Sequence, residues 1–195
     1  AVPHLHLSAV FRQAEASRIV TNAHRVNRGL APVLDAREES GADAGGNFHF
    51  VERGETGGLL ETLVEVACER LPRRFGFDPV RDVQVLTPMN QGPLGTQALN
   101  EALQARLNPR GPALAHRGRL FRPGDKIMQL KNNYEKNVFN GDIGRVRSVD
   151  TSEDSLVADF DGERIPYAEE ELDQLTLAYA ATIHKSQGSE FKAVV

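Results

Sequence analysis

The sequence predicts an α/β domain that carries a small all-β insertion. Residues 83–88 form a short apolar segment typical of a buried strand, a polar loop follows at residues 90–95, and a helix begins at residue 94 or 96 and ends at residue 107. Strand, polar loop and helix in this order favour an α/β fold, in which ligands bind where strands end. Later, short strand-like segments separated by Asn140-Gly141 and Asp161-Gly162 turn signals favour a small β-barrel.

These patterns divide the chain into three predicted segments. Residues 1–112 are the first part of the α/β domain, residues 113–173 are the β insertion, and residues 174–195 return to the α/β domain. The strands predicted within the insertion lie at residues 126–131, 143–149, 155–160 and 163–167. Two helices precede it, at residues 16–28 and 59–71, and we expect Gly29 to end the first and Pro72 to help end the second.

Composition is that of an ordinary soluble protein. The chain has 195 residues, of which 40% are hydrophobic and 26% charged. No apolar run approaches the roughly 18 residues of a membrane span, and no signal peptide is apparent, so we expect a cytoplasmic protein with no membrane partner. Cys68 is the sole cysteine, which excludes an intrachain disulfide and a cysteine metal cluster, and no metal site is predicted.

Charge is distributed unevenly. The net charge of −4 argues mildly against a nucleic-acid partner. However, residues 117–147 carry eight basic and three acidic side chains, whereas residues 150–173 carry one basic and ten acidic side chains. The two segments predict either a phosphate-facing surface opposite a solvated one, or hairpin faces that are simply charged.

The most informative motif is Thr-Ile-His-Lys-Ser-Gln-Gly-Ser-Glu-Phe at residues 182–191, which follows an apolar, strand-like approach at residues 175–181. Several of its side chains can donate hydrogen bonds to phosphate oxygens: Thr182, His184, Lys185 and Ser186. Gly188 lets a backbone approach a ligand closely, and Glu190 can accept from sugar hydroxyls. The motif suits a nucleotide on one side and a nucleic-acid backbone on the other. A polar surface turn followed by a short helix is the alternative.

This motif resembles motif V of superfamily 1 helicases, in the version found in RecD-like helicases of the exodeoxyribonuclease V α-subunit type. Other segments are similar to the same family in the same order. They are Val-Phe-Arg-Gln-Ala at residues 10–14, which resembles the motif IV region, residues 85–100, and residues 122–134 and 138–146, which resemble an SH3-like insertion. The resemblance implies that the α/β part is a RecA-like domain of the P-loop NTPase type, the second of two, and that the insertion is an SH3-like β-barrel.

Roles for individual residues come from the same resemblance. Arg12 is expected to be catalytic, reaching the γ-phosphate of ATP, while Phe11 stacks near the adenine and Gln13 orients Arg12. Gly188 and Glu190 complete the implied ATP-binding set. The implied DNA-binding residues are Thr87, Asn90, Lys131, Asn132, Asn133, Asn140, Thr182, His184 and Lys185. The implied cofactors are ATP and Mg²⁺, with the Mg²⁺ ligands on the first RecA-like domain.

Motifs that the sequence lacks refine this expectation. It has no Gly-x-x-x-x-Gly-Lys-[Ser/Thr] segment and no Asp-Glu dipeptide, which are the Walker A and B elements. We therefore expect a fragment of an ATP-dependent DNA helicase, inactive as an ATPase alone, whose parent translocates 5′-to-3′ on single-stranded DNA and unwinds duplex in recombination or repair. Expected partners are single-stranded DNA, the first RecA-like domain and subunits of a recombination nuclease. The alternative is a stand-alone module that binds single-stranded nucleic acid without ATPase activity.

Overall fold

The computed structural model describes residues 17–34, 47–54 and 56–195. The chain divides into two compact units, Ala1–Arg53 and Gly54–Val195. In the first unit, helix α1 spans Arg18–Asn27 and is followed, as predicted, by a left-handed Gly29 with φ of +73°. The buried side chain of Asn22 holds the segment after the helix, because it accepts from the backbone N–H of Val33 at 2.8 Å and donates to the Val33 carbonyl at 3.1 Å.

The second unit begins with a helical run longer than the sequence predicts. It consists of α2 (Thr56–Glu65), a π-helical turn (Val66–Arg70) and α3 (Leu71–Phe75), and it ends at a left-handed Gly76. The prediction that Pro72 helps end this helix is wrong. The wide π turn lies immediately before Pro72, so the ring is accommodated at the start of a new α-helical turn, where its missing N–H costs little.

The strands described in this unit form three sheets: a three-stranded parallel sheet, a five-stranded antiparallel sheet and a two-stranded hairpin. The strands among the described residues are β1 (Val83–Thr87), β2 (Leu114–His116), β3 (Arg119–Phe121), β4 (Lys126–Gln129), β5 (Ile143–Asp150), β6 (Ser155–Phe160), β7 (Glu163–Tyr167), β8 (Leu175–Leu177), β9 (Ala180–Thr182) and β10 (Ala193–Val194). A parallel sheet has the order β10-β1-β9, and helix α4 (Thr96–Leu107) follows β1. An antiparallel sheet has the order β7-β6-β5-β4-β8. The predicted mixed α/β fold, with a parallel sheet and a separate antiparallel sheet, is confirmed.

Local turn chemistry sets much of the antiparallel sheet. The β6–β7 hairpin turns at Asp161 and Gly162, with φ of +52° and +91°, as the Asp-Gly signal predicted. β2 and β3 form a separate two-stranded hairpin, which was not predicted and which turns at Arg117 and Gly118, again with φ positive at both positions. A 3₁₀ helix at Glu169–Gln174 leads into β8.

The apolar stretch at residues 175–181 contains two strands rather than one. β8 pairs antiparallel with β4, whereas β9 pairs parallel with β1. The chain therefore passes from one sheet to the other between Leu177 and Ala180. This passage places the motif at residues 182–191 directly after the parallel strand β9.

The two sheets share one hydrophobic core. Leu99 and Leu103 of α4 belong to the same buried cluster as Val85 of β1, and the cluster extends to Phe121 and Ile127 of the antiparallel strands. Within the described part of the chain, no helix is long and apolar enough to cross a membrane.

A buried carboxylate links the same elements. Asp125 is fully buried and accepts four hydrogen bonds. Its Oδ2 accepts from Gln104 Nε2 at 2.6 Å and from the backbone N–H of Arg122 at 2.7 Å, and its Oδ1 accepts from Asn108 Nδ2 at 2.7 Å and from the Tyr179 hydroxyl at 2.8 Å. Asp125 therefore ties α4 and the β8–β9 passage to the start of β4.

Candidate nucleic-acid interface

The carboxyl ends of β1 and β9 bring two predicted DNA-binding residues together. Thr87 and Thr182 are register partners in the parallel sheet, and the backbone N–H of Ile183 donates to the Thr87 carbonyl at 3.2 Å. Both strands end at the same edge of the sheet because they are parallel, and a polar loop follows each of them. This is the edge at which α/β sheets bind ligands.

The loop after β1 is held internally. Thr87 is only 3% exposed, and its hydroxyl donates to the Leu94 carbonyl at 2.7 Å, so its geometry suits support of the loop better than direct contact with a ligand. Asn90 is exposed, and its side-chain oxygen accepts from the Thr96 hydroxyl at 3.3 Å. A Cβ on Gly95 would lie 2.6 Å from the Asn90 carbonyl oxygen, so this turn requires glycine.

The β4–β5 connection forms a second ordered loop, at residues 130–142. Asn133 and Val138 exchange two backbone hydrogen bonds, of 2.8 and 3.1 Å, which close the loop. The Asn133 side chain donates to Gln174 Oε1 at 3.2 Å and accepts from the Lys136 N–H at 3.1 Å. Asn133, a predicted DNA contact, therefore lies half-buried at the base of the loop.

Lys136 anchors the far side of this loop. Its ammonium group contacts Glu171 Oε2 and the Pro166 carbonyl, both at 2.6 Å, and lies 4.6 Å from the centre of the Tyr167 ring. Burial by itself would raise the pKa of Glu171, but the hydrogen bonds from Lys136 and from the Ala168 N–H outweigh it, so the pKa is lowered. The loop is thus fixed to the antiparallel sheet before any ligand binds.

The loop at residues 130–142 meets the loop that follows β9 through three predicted DNA-binding residues. Lys185 Nζ donates to Asn140 Oδ1 at 2.6 Å, and the backbone N–H of Asn140 donates to Asn132 Oδ1 at 2.9 Å. The Lys185 N–H also donates to the Thr182 hydroxyl at 3.3 Å, a length that makes this a weak bond. We call Asn132, Asn140, Thr182 and Lys185 the amide–lysine cluster. It joins the antiparallel sheet's loop to the loop after β9.

The rest of the motif continues from this cluster. His184, Gly188 and Glu190 are exposed, and Gly188 has φ of +91° with open space where a Cβ would lie. The hydroxyl of Ser186 is buried and has no hydrogen-bond partner among the described residues. Buried polar groups are normally satisfied, so this hydroxyl is an exception within the polar loop.

Some predicted residues stand apart from the cluster. Lys131 is exposed and precedes Asn132 in the same loop. Phe11, Arg12 and Gln13, which carry much of the predicted ATP site, lie outside the described residues. Among the described residues, no group of three or more His, Cys, Asp or Glu side chains is arranged to hold a metal ion.

The basic and acidic segments do not form two separate faces. Arg117 pairs with Asp173, and Lys136 pairs with Glu171, each at 2.6 Å, so charges of the basic segment are matched by those of the acidic one. Arg145 of β5 faces Asp159 of β6 across the sheet. Of the two interpretations of the charge pattern, charged hairpin faces describe the structure better.

One basic residue of this segment is buried. Lys126 is 3% exposed, and its ammonium group donates to the Val83 carbonyl at 3.1 Å and lies 5.3 Å from the centre of the Phe191 ring. Burial, helped by the nearby charge of Arg145, lowers the pKa of Lys126 to about 8. Lys126 joins the first residues of β1 to β4 and does not belong to the amide–lysine cluster.

Sequence reasoning missed two aromatic residues beside the cluster. Tyr134 and Phe139 lie in the loop at residues 130–142, and their rings meet edge to face with centres 5.9 Å apart. They are 77% and 39% exposed. The available signal was aromatic residues placed between amides and lysines in a predicted turn, which is typical of surfaces that bind single-stranded nucleic acid.

Comparison with known proteins agrees with the motifs. Residues 99–160 match the family described as the SH3 domain of ATP-dependent RecD-like DNA helicases. The whole chain is 35% identical, over 195 residues, to an ATP-dependent RecD2 DNA helicase of Deinococcus radiodurans. The chain spans 25% of the length of that relative.

Solved structures of Pif1 helicases are similar more distantly. One, concerned with unwinding at forked double-stranded DNA by two coordinating Pif1 helicases, is 18% identical with a TM-score of 0.48, covering 95% of this chain and 41% of the other. Another, of Bacteroides Pif1 bound to ssDNA, is 17% identical with a TM-score of 0.40, covering 95% and 43%. Likeness at this level supports no functional inference. The sequence matches confirm the predicted relationship: the chain is similar to a RecD-like helicase over its whole length, and residues 99–160 match the SH3 domain of that family.

Proposed function

We propose that this chain is the part of an ATP-dependent DNA helicase that holds one side of a single strand and one side of the ATP site. The observation that carries the proposal is the 2.6 Å hydrogen bond between Lys185 and Asn140. It joins the loop that follows the parallel strand β9 to the loop of the antiparallel sheet. A strand lying over both loops would contact both sheets at once.

The amide–lysine cluster suits a phosphodiester backbone. An ammonium group carries three N–H donors, and the bond to Asn140 uses one of them. Lys131 and His184 are exposed on the same two loops, and the amide of Asn132 can donate as well. Phosphate contacts of this kind position a strand without reading its sequence.

The ATP half of the proposal rests on the other end of the same loop. Gly188 leaves open space where a side chain would lie, and Glu190 is exposed two residues later. These two residues would contact the nucleotide. The family resemblance also assigns Phe11, Arg12 and Gln13, which lie outside the described residues, to ATP binding, with Arg12 stabilising charge on the γ-phosphate. Bound ATP and Mg²⁺ supply the phosphoryl transfer that drives the motor. Residues 182–190 would then connect the nucleotide to the strand within one loop.

The remaining assignments belong to the parent protein. We propose that residues 1–112 and 174–195 form its second RecA-like domain and residues 113–173 its SH3-like insertion. The first RecA-like domain would supply the Walker motifs and the Mg²⁺ ligands. The parent would translocate 5′-to-3′ on single-stranded DNA in cytoplasmic recombination or repair, either alone or with subunits of a recombination nuclease.

Strand binding tests the proposal. Fluorescence anisotropy of a labelled single strand, titrated with the 195-residue chain, is expected to show affinity that falls steeply as salt rises, because binding releases counterions from the phosphates. Lys131→Gln, at an exposed lysine, and Lys185→Gln, at a half-buried one, are expected to weaken binding, whereas Arg164→Gln on β7 serves as the control loss of an exposed cation. Absence of binding at low salt would contradict the proposal.

Nucleotide assays separate the helicase from a stand-alone binding module. The chain alone is expected to hydrolyse no ATP, and robust hydrolysis would contradict its assignment as half of an ATP site. In a protein that also contains the first RecA-like domain, Arg12→Ala is expected to abolish strand-stimulated hydrolysis while leaving strand binding in place. Strand affinity with no response to nucleotide in that protein would favour the binding module instead.

A further inference from the structure

We propose that Tyr134 and Phe139 form a platform on which the bases of a single-stranded nucleic acid stack, an inference that rests on the proposed strand-binding function. Tyr134 is 77% exposed, the highest value among the exposed large hydrophobic side chains of the described residues. Its ring meets that of Phe139 at 76° with 5.9 Å between centres. Two adjoining aromatic rings open to solvent present faces that any base can cover.

The platform lies directly beside the amide–lysine cluster. Phe139 precedes Asn140, whose side chain accepts from Lys185, and the Tyr134 hydroxyl accepts from Asn132 Nδ2 at 3.4 Å. Phosphates held by the cluster would therefore place their bases within reach of the two rings. Surfaces that bind single strands share this arrangement, in which cationic donors for the backbone lie next to aromatic faces for the bases.

The loop that carries the platform is rigid before a ligand arrives. The Asn133–Val138 backbone pair closes it, and Lys136 fixes it to Glu171. The backbone N–H of Phe139 donates to Asp142 Oδ2 at 2.7 Å, which holds the second aromatic in place. A preorganised platform loses little conformational freedom on binding, so more of the stacking energy appears as affinity.

Stacking on this platform would select single strands over duplex. Bases in a duplex are paired and stacked on each other, so their faces are unavailable to the rings. The rings carry no charge, so they add affinity without changing the number of phosphates neutralised. The platform would therefore raise affinity by the same factor at every salt concentration and would not discriminate among sequences.

Tyrosine fluorescence offers a direct measurement, because the chain has no tryptophan and three tyrosines. Tyr167 and Tyr179 are buried, at 0% and 3% exposure, which leaves Tyr134 as the exposed tyrosine. Titration with an unlabelled single strand is expected to quench the emission of Tyr134. A blunt duplex of the same sequence, and a strand of the same length with abasic sites throughout, are expected to quench it little.

Variants separate stacking from folding. Tyr134→Ala is expected to lower single-strand affinity roughly five- to a hundredfold with an unchanged salt slope, and Tyr134→Phe is expected to restore it. Phe75→Ala is the matched control, because Phe75 is 48% exposed and belongs to a second aromatic pair, with Phe77. This control is expected to bind like the unchanged chain.

The outcomes distinguish the platform from the proposed function. If the unchanged chain binds no single strand at low salt, both are overturned. If it binds with salt dependence, but Tyr134→Ala and the abasic strand leave the affinity unchanged, the platform is overturned and the proposed strand-binding function stands. Equal quenching by duplex and single strand would also overturn the platform.

Discussion

Lys185 Nζ lies 2.6 Å from Asn140 Oδ1, although the two residues are 45 positions apart in the chain. One belongs to the loop after the parallel strand β9 and the other to a loop of the antiparallel sheet. A Cβ on Gly141 would lie 3.8 Å from the Lys185 carbonyl, which shows that the backbones of the two loops also meet. The candidate strand-binding surface is therefore built from two sheets.

The Lys185–Asn140 contact predicts coupling in strand binding. Lys185→Gln is expected to weaken affinity and to reduce the salt slope by about 1, because one phosphate contact is lost. Asn140→Ala is expected to weaken affinity without changing the slope, because it removes the partner that holds Lys185. The double variant is expected to lose less than the sum of the single losses, with a coupling energy of at least about 0.5 kcal/mol. Strict additivity in the titrations would show that Asn140 does not act through Lys185.

Lys126 predicts an alkaline rise in stability. Its pKa is about 8 in the folded chain, against 10.5 for an ordinary lysine. Between these values the unfolded chain binds more protons than the folded chain, so the free energy of unfolding increases with pH, by up to about 1.4 kcal/mol per pH unit. Burial raises the pKa of Tyr167 to about 12 and also raises that of Tyr179. Burial likewise raises the pKa of Cys68 from 9.0 to about 11, so Cys68 offsets the Lys126 rise above about pH 9. Since unfolded tyrosines ionise near 10, the two tyrosines reverse the trend above about pH 10.

Urea unfolding at intervals from pH 7 to pH 9 measures this rise. Lys126→Met is expected to abolish it and to match or exceed the unchanged chain in stability at pH 7, since the cost of burying a charge disappears. Lys131→Met removes an exposed lysine and is expected to keep the rise. A rise that persists in Lys126→Met would assign it to another group.

Because Asp125 accepts four buried hydrogen bonds, even a minimal substitution there is expected to lower the free energy of unfolding strongly. Asp125→Asn replaces one carboxylate oxygen with an NH₂ group that faces two donors, so buried hydrogen bonds are lost and not replaced. A cost of about 2–5 kcal/mol is expected, since each unsatisfied buried donor costs about 1–3 kcal/mol. Glu163→Gln on β7 makes the same chemical change at an exposed site and is expected to stay within about 0.5 kcal/mol. Denaturant midpoints compare the two, and equal midpoints would contradict a structural role for Asp125.

Two glycines predict changes of opposite sign. A Cβ on Gly144 would lie 2.6 Å from the Asp159 carbonyl oxygen and 2.7 Å from the Phe160 ring, so Gly144→Ala is expected to separate β5 from β6 at a cost of about 1–3 kcal/mol. Gly58 lies in α2 with nothing within 4 Å of its Cβ position. Gly58→Ala is expected to stabilise the chain by about 0.5–1 kcal/mol. Thermal unfolding of both variants tests these two predictions. An unchanged melting temperature in Gly144→Ala would show that β5 and β6 tolerate the added methyl group.

The parts of the fold that sequence predicted are those set by local chemistry. Strands β6 and β7 have the predicted bounds because alternating apolar residues flank an Asp-Gly turn. The helix through Pro72 and the division of residues 175–181 into two strands were not predicted, because each depends on packing partners far along the chain. Periodicity within residues 175–181 cannot show that its two halves pair with different sheets.

In the candidate site, too, the sequence predicted individual residues but not the contacts between them. The family resemblance selected Asn132 and Asn140, and the donor chemistry of the motif at residues 182–191 selected Lys185. The structure brings the three into contact. Their meeting has no local signal, since it depends on the chain passing from β8 to β9. The exposure of Tyr134 was equally hidden, because an aromatic residue in a turn is as readily buried as open to solvent.

The parallel sheet and the antiparallel sheet depend on one continuous hydrophobic core. Leu99 and Leu103 of α4 belong to one buried cluster that includes Val85 of β1 as well as Phe121 and Ile127 of the antiparallel strands. A chain without residues 113–173 would lose Phe121 and Ile127 from this cluster and the Asp125 carboxylate that accepts from Gln104, Asn108 and Tyr179. Removal of the β insertion is therefore expected to destabilise the α/β part as well.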